Sequence, residues 1–289
     1  MPNDTLDASA LALFANRYSD EDIEITILTS SISASCSKSK EVFFWAASQT
    51  FLAYVDTQTG ELKKGEGRIE WPLSEEQHAN RASWAGLFKT EHIYRLKVRS
   101  LLNKTVPEGV RPSFSNRFML IKIIEENSKN STLREFLEEY KKPVFLTDEA
   151  MGSFTLNKQL RFFEGKIEWC EETVAAYLDV ETDDEKTWKN SIRTLRTLFD
   201  AQASYDEQFR TFAAEQLTEK ANEWNGAEEE PAEEISEEIF ADRITVSSLS
   251  VSQSGDFIVY YNDDDLFWGH VIAVFGNLYD GLKTAGIEG

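Results

Sequence analysis

The chain has 289 residues, of which 41% are hydrophobic and 12% aromatic, enough for two ordinary domains with cores of their own and too apolar for wholesale disorder. Its formal charge of −21, from 51 acidic against 30 basic residues, repels phosphate backbones and anionic bilayers and argues against free-standing nucleic-acid or membrane binding. Cys36 and Cys170 lie far apart in no metal-type or redox-type spacing, and the apolar run Ala8 to Ala15 has no basic flank and is too short to span a bilayer, so a cytoplasmic location is expected.

In chain order, Ile23 to Leu28 alternates as a strand should, and Glu41 to Ala47 and Thr50 to Val55 are rich in aromatic and β-branched residues. Thr57 to Gly60 and Lys63 to Gly67 carry turn residues, and a short strand RIEW follows, ending at Pro72. Ser74 and Gln77 have capping-box spacing for a short helix. IYRLKVRS puts Tyr94, Leu96 and Val98 on one strand face and Arg95, Lys97 and Arg99 on the other. RFMLIKIIEE reads as a central strand, and Thr132 with Glu135 as the cap of the helix LREFLEEY. Many strands with little helix predict a small barrel or a strongly curved sheet.

Pro143 ends that helix, and a domain boundary is expected within Pro143 to Gly152, dividing the chain into residues 1–146 and 147–289. FTLN, RFFEGKIEW and VAAYLDVE predict a strand meander. Thr182 and Glu185, then Ser204 and Glu207, have capping spacing ahead of the apolar stripes Trp188, Ile192, Leu195, Phe199 and Phe209, Phe212, Leu217, Ala221, Trp224. These predict two long helices over about 184–225. A short helix is expected over 232–241, strands at RITVSSLSVS, DFIVYYN and GHVIAVFG with a turn at Ser254-Gly255, and glycines 276, 281, 286 and 289 as loop residues. The fold class is therefore α+β, with a β-rich first domain and a mostly antiparallel second sheet covered by the two helices. GRIEWP at 67–72 is echoed by GKIEWC at 165–170, a match too short to count as a repeat.

Charge is unevenly divided. Residues 1–150 hold 19 basic and 22 acidic residues, whereas residues 151–289 hold 11 and 29. An acidic half suits a basic partner, and Glu229, Glu230, Glu233 and Glu234 with Asp263, Asp264 and Asp265 are the candidate partner-facing acids.

GSFTLNKQLRFFEGKIEW, AYLDVE, LFDAQASYDEQFRTFAAEQL with ANEW, and YNDDDLFWGHVIAVFGNLYDGLKTAGIEG together resemble the uncharacterised bacterial domain-of-unknown-function family numbered 2262, from Gly152 to Gly289. Members usually read Asp-Gly-Asp where this chain has Asp263-Asp264-Asp265, and Ser where it has Val271. YRLKVR resembles a companion region found before that domain. The family has no established reaction. Related FWGH-type endings near toxin genes imply an immunity-like role by association.

Asp263, Asp265 and His270 form an alternative metal set for an enzyme, which Glu164, Glu168 and Asp179 could complete, although DDDLFWGH matches neither a calcium loop nor a zinc motif. Gly269 is expected to serve close packing or a bulge beneath Phe267 or Trp268. Lysines beside Cys36 could lower its pKa, but no base is paired with it in sequence, and Cys170 reads as a small packed residue. Phosphate-loop, dinucleotide and nucleophile-elbow patterns are absent. Arg95, Lys97 and Arg99 are a candidate anion or interdomain ridge. The expected function is a non-enzymatic, cofactor-free binding protein with a basic protein partner and an oligomeric state that sequence does not define.

Overall fold

Two sheets organise the chain, and each is confined to one of two units, Met1–Lys142 and Pro143–Gly289. The computed structural model describes residues 8–38, 44–105, 114–225 and 234–289. The boundary falls four residues before the expected one, because Phe145–Asp148 pairs with Gly152–Asn157 and so belongs to the second sheet. With the boundary at Pro143 the charges become −1 for the first unit and −20 for the second.

In the first unit the order is α1 (Ala8–Ala15), β1 (Ile23–Thr29), β2 (Ser35–Ser37), β3 (Trp45–Asp56), β4 (Leu62–Leu73), α2 (Glu75–Ala79), α3 (Arg81–Ala85), β5 (Ile93–Ser100), β6 (Arg117–Glu126) and α4 (Ser131–Lys141). The sheet runs β1-β5-β6-β4-β3-β2, and β1 also pairs with β3, so the pairings of five strands close on themselves. Among the described residues of this unit, only β4 and β6 run parallel. Ile25, Ile27, Phe51, Ile69, Trp71, Leu96 and Val98 are buried in one cluster, as strand alternation requires. Phe14 of α1 lies in a second cluster with Phe44 and Met119, and Leu133 of α4 in a third with Leu52 and Ile93.

The predicted turn at Lys63–Gly67 is instead part of β4, because β3 is long enough to pair with it as far as Val55 opposite Leu62. The actual turn is Thr57–Gly60, where the Asp56 carboxylate accepts from the amides of Gln58 and Thr59 at 2.8 and 3.1 Å. Ser74 and Gln77 form the expected capping box. Asn130, and not Thr132, caps α4, accepting from the Leu133 amide at 2.9 Å. The GRIEW and GKIEW segments have a common physical basis. A Cβ on Gly67 would overlap the Phe51 ring and one on Gly165 the Phe154 ring, while Trp71 and Trp169 are both buried.

The second unit comprises β7 (Phe145–Asp148), β8 (Gly152–Asn157), β9 (Phe162–Trp169), β10 (Glu172–Asp179), α5 (Glu185–Asp200), α6 (Gln202–Asn225), α7 (Glu237–Arg243), β11 (Thr245–Val251), β12 (Asp256–Asn262), β13 (Val271–Asn277) and β14 (Gly281–Glu288). The eight strands lie in reverse chain order, antiparallel except at the β10–β11 junction, where the helices intervene. Leu195 and Leu198 of α5 and Phe209, Ala213, Leu217 and Ala221 of α6 share one buried cluster with Phe163, Ile167, Val174, Leu249 and Val259 of the sheet. Trp188, Phe212 and Trp224 of the predicted apolar stripes are only partly buried. Asp184 caps α5, α6 begins at Gln202 ahead of Ser204, and Ser236 caps α7, which is shorter than the predicted 232–241 helix and starts later. Three of the four C-terminal glycines expected in loops are strand residues, and Gly289 alone lies beyond the last strand. Gly276 lies in β13, where the Phe257 ring occupies the space of a Cβ, and Gly281 and Gly286 lie in β14.

A buried carboxylate on α6 joins four of these elements. Asp206 accepts from Trp169 Nε1 of β9 at 3.2 Å, Tyr261 Oη of β12 at 3.3 Å and Arg210 Nε at 2.6 Å. The Arg210 guanidinium goes on to donate to the carbonyls of Ala241 and Ile244, at the end of α7. Because Asp206→Ala leaves a guanidinium and two ring donors without their acceptor, it is expected to lower unfolding free energy by about 3–5 kcal/mol. Asp200→Ala, at an exposed pair 3.7 Å from Arg196, should change it by less than about 1 kcal/mol in the same denaturant titration.

At the opposite hairpins, hydrogen bonds from Ser254 Oγ, Asn277 Nδ2 and Lys283 Nζ lower the Asp256 pKa to about 2. A carboxylate depressed on folding contributes stability that is fully present above its unfolded value of about 4 and is lost as pH falls through about 2. Asp256→Asn should therefore flatten the loss of stability between those pH values, as read by thermal melts.

Candidate functional site

The segment between β12 and β13 is built around one buried carboxylate. Asp263 is 5% exposed, and its Oδ2 accepts from the amides of Phe267 at 2.7 Å and Gly269 at 3.2 Å, while its carbonyl accepts from the Leu266 amide at 3.0 Å. Such side-chain acceptance stands in for strand pairing and lets the chain turn sharply. Asp264, Asp265, Trp268 and Gly269 all take positive φ, at 48°, 61°, 57° and 83°. Aspartate tolerates that region, but for a tryptophan it costs about 1–2 kcal/mol. Nothing lies within 4 Å of a Cβ on Gly269, so of the two roles expected of it, close packing or a bulge, the packing role is not the one it serves, and its positive φ gives the backbone conformation.

The result is an exposed aromatic on a fixed base. Leu266 and Phe267 are buried, whereas Trp268 is 62% exposed. Its ring lies 4.9 Å from that of Trp224 on α6, which also meets Phe267 and His270 edge-on at 5.5 and 5.7 Å. Arg243 Nε binds Asp264 Oδ2 at 2.7 Å and Arg243 Nη2 the Asp264 carbonyl at 2.6 Å, latching the turn to α7. Helix α7 also carries exposed Glu237, Glu238 and Asp242 around Ile239, itself 50% exposed. Asn222 joins α6 to the residue before α7's cap through paired bonds to Ile235 of 2.9 and 2.8 Å. Exposed Glu215, Glu219 and Glu223 recur every four residues and so form one stripe of α6.

The three adjacent aspartates therefore do different things: Asp263 is a buried acceptor, Asp264 an ion-pair partner and Asp265 an exposed charge. Among the described residues no three His, Cys, Asp or Glu side chains converge as metal ligands, the set Asp263, Asp265 and His270 included. Glu164 and Glu168 fall opposite Tyr177 and Thr173 of β10, and Glu168 is engaged by the Thr173 hydroxyl at 2.8 Å. Glu234 is exposed, while Glu229, Glu230 and Glu233 lie outside the described residues. Arg95 pairs with Glu24 at 2.6 Å, and Lys97 and Arg99 with Asp22 at 2.9 and 2.7 Å, so the basic ridge is neutralised by acids of its own unit.

Cys36 behaves opposite to the effect its neighbouring lysines suggested. Burial pushes its thiol up to about 11, and Lys38 is bound to Glu75. Cys170 is half-buried, and its thiol is raised first by burial and then by Asp206. Two buried carboxylates escaped the sequence reading. One is Asp206; the other is Glu70, which accepts from Tyr18 Oη and from Arg117 at 3.1 Å. Alternation with the buried Ile69 and Trp71 gave no reason to expect Glu70 inside, and no local signal marked its partners 47 and 52 residues away.

Residues 148–287 match a family described as an uncharacterized protein conserved in bacteria (DUF2262). The match spans nearly all of the second unit. Residues 11–140, nearly all of the first unit, match a domain of unknown function (DUF7021), in agreement with the companion region expected ahead of the DUF2262 unit. No curated protein matches the chain. A deletion mutant of the single-stranded DNA-binding protein from Thermus aquaticus is similar at 9% identity over 55% of this chain and 75% of that one, with a TM-score of 0.23. No helix among the described residues of either unit is long and apolar enough to cross a membrane.

Asp263→Ala should remove the carboxylate oxygen that accepts from both amides of the turn and destabilise the second unit by about 1–3 kcal/mol. Hydrogen exchange should accelerate at the Phe267 and Gly269 amides. Asp265→Ala should leave those amides as protected as in the wild type.

Proposed function

We propose that the protein is a non-enzymatic binding protein whose second unit offers an acidic surface, anchored on Trp268, to a basic protein partner, in an immunity-like role. The observation that carries this reading is Trp268, exposed in a left-handed conformation and fixed by the buried Asp263, beside the exposed acids of α7 and α6. Exposed tryptophan on a rigid base loses little side-chain entropy on docking, and tryptophan is among the residues most often responsible for binding energy. The −20 charge of the unit supplies the complementary term, which speeds encounter with a basic surface and repels acidic competitors. The closed circuit of pairings in the first unit supports its reading as a small barrel, and its near-neutral charge with a paired ridge supports a supporting role.

Capture from a lysate of the native host by the immobilised full chain tests this. A basic protein held in about 50 mM salt and released near 500 mM is the expected partner. Trp268→Ala should speed its dissociation roughly 30-fold, the equivalent of about 2 kcal/mol. Combined Glu234→Gln, Glu237→Gln and Glu238→Gln should slow association and flatten its salt dependence while dissociation stays unchanged. A partner held equally well by Trp268→Ala, or equally well at both salt concentrations, would sink the reading.

A further inference from the structure

On elements of the second unit other than the Trp268 turn, a cleft of about 220 Å³ lies between α5 and the turns that end the β11–β12 and β13–β14 hairpins. Arg193, Asn190 and Thr197 of α5 line one side, Gln253 and Tyr279 the other. Arg193 stands apart from the other arginines of the unit. Arg161, Arg196, Arg210 and Arg243 each hold a carboxylate, at 3.2, 2.5, 2.6 and 2.7 Å. Arg193 has no acid partner among the described residues and touches only Asn190 Oδ1, at 3.5 Å. In a unit of 31 acids, a guanidinium left over in a concavity is available to a carboxylate from outside.

The opposite wall is fixed. Asn277 holds the hairpin ends together, donating to the Ser254 carbonyl at 3.3 Å and to Asp256 at 2.9 Å and accepting from the Tyr279 amide at 2.9 Å. The Tyr279 ring lies over Gly255, where a Cβ would come within 2.9 Å of it, yet the residue is 82% exposed. On the helix side, Thr194 Oγ1 donates to the Ser252 carbonyl at 3.0 Å and ties α5 to the first of these turns. The cleft thus combines a planar cationic fork, side-chain amide donors and an aromatic face on a tethered frame.

We propose that this cleft binds a small planar monocarboxylate, with the carboxylate on Arg193 and the planar body against Tyr279. Guanidinium matches a carboxylate through two parallel hydrogen bonds, which an ammonium cannot reproduce. The volume is below the roughly 300–1,000 Å³ of pockets that enclose drug-sized ligands, which limits the ligand to a small body. The −20 charge of the unit disfavours phosphates and other polyanions more steeply than a single negative charge.

Benzoate is the probe, titrated into the full-length protein by calorimetry and by saturation-transfer NMR. Saturable binding with a dissociation constant of order 1 mM is expected. Arg193→Gln should weaken it at least tenfold, Tyr279→Ala severalfold, and Arg193→Lys nearly as much as Arg193→Gln. Thermal melts should show all three variants folded as the wild type, since both side chains are exposed. Inorganic phosphate should fail to compete at equal concentration, and benzyl alcohol should not bind. Absence of saturable binding up to about 50 mM benzoate, wild-type affinity in Arg193→Lys, or effective competition by phosphate would each overturn the proposal. None of these outcomes bears on capture through Trp268.

Discussion

The second unit depends on the carboxylate of Asp206, which sits where two strands, a long helix and a short one meet. Its three acceptances tie α6 to β9 and β12, and Arg210 extends the tie to the carbonyls that end α7. An apolar side chain there would leave the indole N–H of Trp169 and the hydroxyl of Tyr261 unpaired in a dry core, where each missing bond costs more than a formed one contributes. Burial, reinforced by the nearby carboxylate, also holds the Tyr261 hydroxyl protonated far beyond its ordinary range, so it remains a donor. The register of α6 on the sheet is thereby set by directional bonds as well as by the Phe209 and Leu217 packing, which alone would tolerate sliding.

That fixed helix is what gives the Asp263–His270 turn its base. Trp224 is on the last turns of α6, and its ring is the surface on which Phe267, Trp268 and His270 are arranged. Helix α7, positioned by Arg210 at its end, supplies Arg243 to hold Asp264. A left-handed tryptophan persists only where surrounding bonds over-determine it, and here the Asp263 acceptor, the Arg243 latch and the buried Leu266 and Phe267 do so. Strain held in this way presents one aromatic outward without letting it collapse onto its neighbours.

Much of this architecture was legible in the sequence because it rests on periodicity. Alternation located eleven of the fourteen described strands but not β2, β7 or β14, three-to-four spacing located α5 and α6, and the Ser74–Gln77 box formed both of its bonds. Boundaries and caps were less legible, because a residue two positions away from the expected cap can do the capping instead: Asn130 lies two residues before Thr132, and Asp184 two residues beyond Thr182. Glycine also misled. In LKKGEGRIE and in the C-terminal segment it was taken for a turn residue, yet Gly67 and Gly276 are strand positions that accommodate aromatic rings. The site was half legible: DDDLFWGH was conspicuous, but division of labour among its aspartates depends on Arg243 and on backbone angles that no local pattern encodes.

The acid surplus itself has a structural logic once the arginines are followed. In the first unit cations and carboxylates nearly balance, and the ridge of Arg95, Lys97 and Arg99 is cancelled by Asp22 and Glu24 across a strand pair. In the second unit four of five arginines are committed to internal carboxylates, so they contribute fixation without shielding the remaining exposed acids. A unit organised in this way retains its long-range negative field although its interior charges are satisfied, and self-repulsion of that field is a standing cost to the folded state. Offsetting it with surface lysines would need no change to the core. The field is instead left in place beside an exposed tryptophan whose backbone is itself strained, and the proposed basic partner would relieve both the charge and the exposure at this one surface.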